Sequence, residues 1–219
     1  MKEVTFFGIG IAAVLACNGL ALGQSWNEMG DAGDLPGSAQ VVVGSGPLTD
    51  IFGSTAPGDL VDMYFIRIID PLGFMASVDP TGGGDASFDT ELWLFDAAGF
   101  GMIANDDDPG GSAFRSLLKL PADDGFMPVL PGVGNYYIAI SGFTNDAKSA
   151  SGEIFFQASF TEVSGPDGVG AGNPISFWDN TGGSGTYQIH LTGAEFIPAP
   201  GAMALLGLGG LVARRRRRR

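Results

Sequence analysis

Residues 62–69 have the sequence Asp62-Met-Tyr-Phe-Ile-Arg-Ile-Ile69, in which apolar side chains recur at every second position. An extended chain places Tyr64, Ile66 and Ile68 on one face and Arg67 on the other. Similar short apolar runs occur at residues 74–78, 91–96, 101–104, 136–141, 154–160, 175–178 and 187–192. Gly, Pro, Asp and Asn separate the runs, and we find no amphipathic helical pattern. The sequence therefore predicts an all-β protein of eight to ten strands, folded as an antiparallel, jelly-roll-like β-sandwich.

Two local expectations follow from the same alternation. Residues 91–96 precede Ala97-Ala98-Gly99, which is a turn sequence, so residues 101–104 are expected to pair back as a β-hairpin. In the last run the apolar positions share one face, which places His190, the only histidine, on the outer face.

Composition and charge limit the classes of function. The chain has 219 residues, of which 45% are hydrophobic, enough to bury the core of one domain. Residues 24–197 contain 23 acidic and four basic residues, a net charge of −19, because six of the eleven basic residues are the C-terminal arginines. A body this acidic repels a phosphate backbone, so binding to nucleic acid is not expected.

The N-terminus has the pattern of a secretory signal peptide, which we assign to residues 1–23. Lys2 precedes a long apolar stretch, and Ala21-Leu-Gly23 is a small-x-small cleavage site. Cleavage there removes Cys17, the only cysteine, so the exported chain is expected to have no internal disulfide. The alternative is a loose lipobox at residues 14–17, which would place a lipid on Cys17.

The C-terminus, residues 194–219, carries a second targeting pattern. Pro198-Ala199-Pro200 precedes the apolar residues 201–213, and a run of arginines begins at Arg214. A helix of that length spans about 20 Å, which is short of a hydrocarbon core of ~30 Å, although a plain tail anchor is the alternative. The pattern resembles the PEP-CTERM sorting signal of Gram-negative bacteria, with Ala199 where that motif usually has Glu. The resemblance implies a short hydrophobic helix in transient contact with the inner membrane, processing by an exosortase-like enzyme, and delivery to the cell surface or extracellular matrix.

The body between the two signals resembles bacterial pre-peptidase C-terminal (PPC-type) domains. Four ordered blocks carry the resemblance: Asp50-Ile-Phe-Gly53 with Gly58-Asp-Leu-Val-Asp-Met-Tyr64, Phe88-Asp-Thr-Glu-Leu-Trp-Leu-Phe-Asp96 with Gly99, Ile103-Ala-Asn-Asp-Asp-Asp108, and Asn135-Tyr-Tyr-Ile-Ala-Ile140. The resemblance implies that residues 48–193 form a secreted, jelly-roll-like β-sandwich that accompanies a peptidase or surface protein and is not itself a catalyst. We expect residues 24–47 to be an extended lead-in and residues 194–198 a short linker. The Gly-rich stretch 163–185 departs from the family pattern and is expected to be a loop except at 175–178.

The densest acidic cluster is Asn105-Asp106-Asp107-Asp108, which is followed by Pro-Gly-Gly. Ca²⁺ takes six to eight oxygen ligands, and an acidic, Gly-rich loop suits it. Calcium is therefore the one candidate cofactor, with Asp85, Asp89, Asp106, Asp107 and Asp108 as candidate ligands. The alternative is a turn whose carboxylates are screened by water and counter-ions. Asp59 and Asp62 flank a strand start, where they either cap the strand or form a second ion site.

Aromatic side chains offer a second kind of candidate site. Trp93 and Phe95 alternate with leucines, so they share the face opposite those leucines. If that face is exposed, Trp93 and Trp178 could stack on sugar rings or on a partner surface. The alternative is that a neighbouring loop covers the face and buries both.

Together these patterns predict a non-catalytic, exported protein with a structural or interaction role at the cell surface or in an extracellular matrix. Expected partners are other surface proteins and extracellular polysaccharide, which divalent ions on the acidic body would bridge. One alternative is a carbohydrate-binding module built on Trp93 and Trp178. A second is a small secreted hydrolase that uses paired carboxylates or a base near His190.

Overall fold

The computed structural model describes residues 23–111, 114–120 and 130–199. The described chain forms β-strands and one short 3-10 helix, Pro80–Gly82. The strands are β1 (Gln24–Asn27), β2 (Gln40–Val41), β3 (Val43–Gly44), β4 (Leu48–Ser54), β5 (Val61–Ile68), β6 (Met75–Ser77), β7 (Asp85–Ala86), β8 (Thr90–Asp96), β9 (Gly101–Asn105), β10 (Leu117–Lys119), β11 (Gly134–Gly142), β12 (Ala147–Ser149), β13 (Gly152–Glu153), β14 (Val163–Ser164), β15 (Ile175–Trp178), β16 (Thr186–Thr192), β17 (Ala194–Glu195) and β18 (Ile197–Pro198). The fold is all-β, as predicted. Within these ranges no helix is long and apolar enough to cross a membrane.

Two large sheets make up most of the fold. The first sheet has the strand order β1-β4-β16-β6-β10, with β7 paired to β16. The second sheet has the order β14-β9-β8-β11-β5-β17, with β2 paired to β5. At its centre Ile138 lies opposite Leu94 on one side and Tyr64 on the other, so apolar cross-strand pairs hold the register. Strands β8 and β9 form the predicted hairpin.

The main core lies between the facing sides of these two sheets. The first sheet contributes Ile51, Ala76, Leu118 and Ile189, and the second contributes Ile66, Leu94, Ile103 and Ile138, all fully buried. The period-two pattern of residues 62–69 is confirmed, because Tyr64, Ile66 and Ile68 all point into this core. The arrangement is that of a β-sandwich, in which each sheet buries one face of alternating side chains.

A smaller sheet, with the order β13-β12-β15, covers the opposite face of the second sheet. Beneath this cover sheet, Met63, Trp93, Phe95 and Ala139 pack with Trp178 in a second apolar cluster. The central strands of the second sheet are therefore buried on both faces. Double burial explains why residues 92–95 of β8, Leu-Trp-Leu-Phe, are continuously apolar and do not alternate with polar residues.

The predicted lead-in, residues 24–47, is part of the sheets. β1 pairs with β4, β2 pairs with β5 and β3 pairs with β18, and all three pairings are parallel. The sandwich is therefore not purely antiparallel. The reason is long-range: the strands that receive this segment come later in the chain, so local sequence contains no sign of the pairing.

The predicted linker, residues 194–198, also belongs to the fold. β17 pairs antiparallel with β5, and β18 pairs with β3, so paired strands extend to Pro198. Gly193, at φ 71°, supports the sharp turn between β16 and β17. The signal peptide and the tail from Pro200, including Arg214, lie outside the described residues apart from Gly23.

The strand predicted at residues 154–160 is wrong. Ile154 and Phe155 are both buried against the second sheet, which two consecutive residues of a regular strand cannot achieve. The backbone there bonds to a loop instead: the Ile154 carbonyl accepts from the Gly168 amide, and the Phe156 amide donates to Asp167 Oδ1. In the Gly-rich stretch, β15 is confirmed at residues 175–178, and β14 is an additional short strand.

Candidate metal centre

Three of the five predicted ligands lie together at one end of the β8–β9 hairpin. Asp89 immediately precedes β8, while Asp106 and Asp107 immediately follow β9. Because Leu92 of β8 lies opposite Asn105 of β9, the antiparallel pairing brings these two chain ends side by side. One carboxylate oxygen from each aspartate lies within 4.8 Å of the others. We call this group the acidic site.

Asp106 is the most buried of the three aspartates in the acidic site. Its side chain is only 2% exposed, and its Oδ1 has no hydrogen-bond partner within the described part of the chain. Burial, followed by the charges of Asp107, Asp89 and Asp146, raises the pKa of Asp106 to about 8. A buried carboxylate oxygen without a partner is costly, and a bound cation removes that cost.

The loop that carries Asp106 and Asp107 is fixed by hydrogen bonds from Asn105, which is fully buried. Asn105 Nδ2 donates to the Asp107 carbonyl at 2.8 Å and to the Glu162 carbonyl at 3.0 Å. Asn105 Oδ1 accepts from the Leu117 amide at 2.7 Å. One amide thus joins the acidic loop to two other segments, so the site is positioned before any ligand arrives.

The other two predicted ligands, Asp85 and Asp108, do not join the acidic site. Asp85 is on β7, which pairs with β16 in the first sheet, and its Oδ1 accepts from the Ala86 amide. Asp108 points back into its own turn, where its Oδ1 accepts from the Gly110 amide at 2.8 Å. The predicted set is therefore corrected to Asp89, Asp106 and Asp107. Asp85 fails because β7 pairs into the opposite sheet, which its spacing from Asp89 does not reveal.

A second cluster consists of Asp31, Asp59 and Asp62, with one carboxylate oxygen of each within 4.8 Å of the others. Asp62 is fully buried, and its Oδ1 has no hydrogen-bond partner among the described residues. Burial raises the pKa of Asp62 to about 7. Asp31, Asp59 and Asn180 line a cavity of about 250 Å³ next to it. The sequence places Asp59 and Asp62 together at a strand start, whereas Asp31 joins them only because the N-terminal segment packs against β5.

The predicted aromatic surface is not formed, which is a second correction. Trp93 is 2% exposed and Trp178 is 3% exposed, and their ring centroids are 5.7 Å apart inside the second apolar cluster. Their indole nitrogens donate to Ser141 Oγ and to the Asp34 carbonyl, respectively. The cover sheet buries the face that would have to be open, so these residues cannot form a sugar-binding platform.

His190 lies on the outer face of the first sheet, as its position in the alternation predicts. Its Nδ1 is 3.1 Å from Asp50 Oδ1, and Gln188 Nε2 donates to the same oxygen at 2.9 Å. The Gln188 and His190 hydrogen bonds to Asp50 lower the pKa of that carboxyl against the opposing effect of burial. The three side chains join β4 to β16 and form a polar link on the sheet surface.

The described chain thus defines an acidic, sandwich-like, all-β protein with two clusters of carboxylates, each containing one buried member. No protein-family model matches the chain, and no curated protein matches it either. We therefore infer its function from the fold, the two acidic clusters and the targeting patterns of the sequence.

Proposed function

We propose that this chain is an exported, non-catalytic protein whose jelly-roll-like, PPC-like sandwich is stabilised by Ca²⁺. Its role is structural or interactive, at the cell surface or in an extracellular matrix. The observation that carries the calcium proposal is Asp106 Oδ1, a buried carboxylate oxygen without a partner in the described chain, beside Asp89 and Asp107.

The donor set of the acidic site favours calcium among the common cations. It consists of carboxylate oxygens, which are ligands for hard cations and not for soft ones. Ca²⁺ accepts six to eight oxygens in flexible geometry, so an irregular loop with nearby carbonyls suits it. Mg²⁺ demands near-ideal octahedral geometry and gives up its water reluctantly.

A bound ion would also supply the constraint that a disulfide supplies in many exported proteins. The sequence has a single cysteine, Cys17, which lies within the proposed signal peptide. A cation at the acidic site would tie the segment before β8 to the loop after β9. A second cation at Asp31, Asp59 and Asp62 would tie the N-terminal segment to β5.

Calcium titration followed by thermal unfolding tests this proposal on the full chain. We expect the melting temperature to rise with calcium and to fall again when EDTA is added. A ligand that binds only the folded state at a hundred times its Kd adds about 2.7 kcal/mol. For a chain of this size that gain corresponds to roughly 5–10 °C. An unchanged melting temperature, with no metal found by elemental analysis, would remove the calcium proposal.

The sorting part of the proposal is supported by the position of the last strand. Pro198 pairs in β18, and Ala199 is exposed directly after it, so processing beyond this point would leave the sheets intact. Cell fractionation with intact-mass analysis tests this: we expect a surface or secreted product that begins near Gln24 and lacks the terminal arginines. A product that keeps its C-terminal tail in the membrane would contradict it.

A further inference from the structure

Three phenylalanines adjoin the acidic site, and the backbone of each is hydrogen-bonded to one of the aspartates. The Asp107 amide donates to the Phe160 carbonyl at 2.8 Å, and the Phe114 amide donates to Asp107 Oδ1 at 2.6 Å. The Phe143 amide donates to the Asp89 carbonyl at 3.1 Å. We call Phe114, Phe143 and Phe160 the aromatic rim.

Two members of the rim face solvent. Phe160 is 62% exposed and Phe114 is 58% exposed, whereas Phe143 is partly buried. The rings of Phe143 and Phe160 pack edge to face, with centroids 5.6 Å apart. In the rim, the Phe160 ring is therefore held in place by Phe143, and the exposed rings of Phe160 and Phe114 lie near the carboxylates of the acidic site. An exposed aromatic ring next to polar groups offers a ligand a flat apolar surface.

The acidic site is also partly accessible to solvent. Asp106 is buried, but Asp89 and Asp107 are only partly so. Three carboxylates supply fewer oxygens than the six to eight that Ca²⁺ takes when each binds through one atom. The remaining positions must be filled by carbonyls, by water or by oxygens of a second molecule that approaches across the rim.

Resting on the calcium site proposed above, we propose that the acidic site and its aromatic rim form a calcium-dependent binding site for extracellular polysaccharide. Two neighbouring sugar oxygens, either adjacent hydroxyls or a carboxylate, would complete the coordination of the ion. The apolar face of the same sugar ring would lie on Phe160 or Phe114. A ligand of this class needs both features that the site offers, a cation and a flat apolar surface.

Charge favours a polysaccharide over a lipid bilayer as the occupant. A rim of phenylalanines beside a calcium ion could also insert into a membrane with phosphate on the ion. The body of this protein, however, carries a net charge of −19 between residues 24 and 197, which opposes approach to an anionic lipid surface. A neutral, hydroxyl-rich glycan experiences no such repulsion, whereas a polyuronate is repelled as well and binds only where calcium ions compensate its carboxylates.

The test measures binding of the full chain to beads that carry mannan (neutral hydroxyls) or alginate (uronate), and to vesicles of phosphatidylethanolamine and phosphatidylglycerol. Each is assayed in calcium and in EDTA. We expect retention on at least one polysaccharide in calcium, loss of retention in EDTA, and no binding to vesicles. The preferred polysaccharide identifies hydroxyls or carboxylates as the sugar ligands.

Substitutions in the aromatic rim distinguish its contribution to polysaccharide binding from that of the calcium ion. Phe160→Ala and Phe114→Ala should each weaken polysaccharide binding by about three- to tenfold, as the loss of one aromatic contact does, and should leave the calcium-induced rise in melting temperature in place. Phe177→Ala is the matched control, because this exposed phenylalanine lies on β15, in the cover sheet.

Binding to vesicles in place of polysaccharide, retention that survives EDTA, or retention indifferent to both rim variants would each overturn the inference. If calcium stabilises the protein but neither polysaccharide binds, the inference fails and the proposed function stands. If calcium does not stabilise the protein at all, the proposed function fails first.

Discussion

Tyr187 donates a hydrogen bond of 2.6 Å from its hydroxyl to Asp62 Oδ2, and this bond joins the first sheet to the second. The Tyr64 hydroxyl is also 2.6 Å from that of Tyr187. Because Tyr187 has one hydroxyl proton and gives it to Asp62, Tyr64 must donate to Tyr187. The three side chains therefore form an ordered chain of hydrogen bonds in the core, where such networks are strong when satisfied and costly when broken.

Removing the Tyr187 hydroxyl should destabilise the fold. In Tyr187→Phe the buried Asp62 loses its donor, and its pKa rises further because that hydrogen bond favours the charged form. We expect a loss of about 1–3 kcal/mol in the free energy of unfolding, measured by urea denaturation. Tyr136→Phe is the control, since its hydroxyl bonds only to the Gly132 carbonyl. Equal stability of Tyr187→Phe and the parent would show that the network contributes nothing.

Gly53 is required where the same network meets β4. Gly53 lies opposite Tyr187 in the strand pairing, and a Cβ there would overlap the hydroxyls of Tyr187 and Tyr64. Gly53→Ala should therefore lower the melting temperature by several degrees, with a cost of about 1–3 kcal/mol from overpacking. Gly37→Ala, where a Cβ would meet nothing within 4 Å, should leave the melting temperature nearly unchanged. An unchanged melting temperature in Gly53→Ala would contradict this close packing.

Without calcium, the protein should become less stable as pH rises. Burial raises the pKa of Asp62 to about 7, of Asp106 to about 8 and of Glu91 to about 9. These carboxyls have pKa values near 4 when unfolded, so above about pH 4 the unfolded state has lost protons that the folded state still holds. Their contribution to stability is complete below about pH 4 and is lost as pH rises towards 7–9.

Urea denaturation in EDTA across this range measures the effect. Added calcium should reduce the loss above about pH 7, because the ion replaces the proton at Asp106. Glu91→Gln should flatten the upper part of the profile, because it removes the group with the highest pKa of the three. Stability that rises between pH 5 and pH 9 in EDTA would contradict the assignment of these groups.

Asp106→Asn should show whether calcium binds at the acidic site or at another carboxylate of the same loop. The amide cannot ionise, so the variant should be more stable than the parent in EDTA at pH 8 and above, and it should lose the part of the calcium-induced rise in melting temperature that the acidic site contributes. Asp108→Asn is the matched control in the same loop, because its side chain serves the turn at Gly110. If Asp106→Asn keeps the full calcium-induced rise, the ion does not bind at the acidic site.

The sequence predicts where the candidate site lies, but it does not predict every residue that forms it. Three adjacent carboxylates in a Gly-rich turn are a local signal, and Asp106 and Asp107 were found from it. Asp89 joins them because the hairpin pairing was also legible in sequence. The positions of Asp85 and Asp31 cannot be predicted from local sequence, because the partner of a two-residue strand or of an N-terminal segment depends on contacts across the whole chain. The aromatic rim has no local sequence signal for the same reason, since Phe114, Phe143 and Phe160 are distant in sequence and come together only in the fold.

Sequence alone determined the strand class and the inward face of the long strands, because a period of two has only one extended arrangement that buries Ile66, Ile138 and Ile189 together. Which strands are buried on both faces depends on the tertiary structure alone. Trp93 and Trp178 are buried because the cover sheet packs on the second sheet, and alternation says only that their faces are apolar. Burial of one face is a property of a strand, whereas burial of the other depends on which distant segment reaches it.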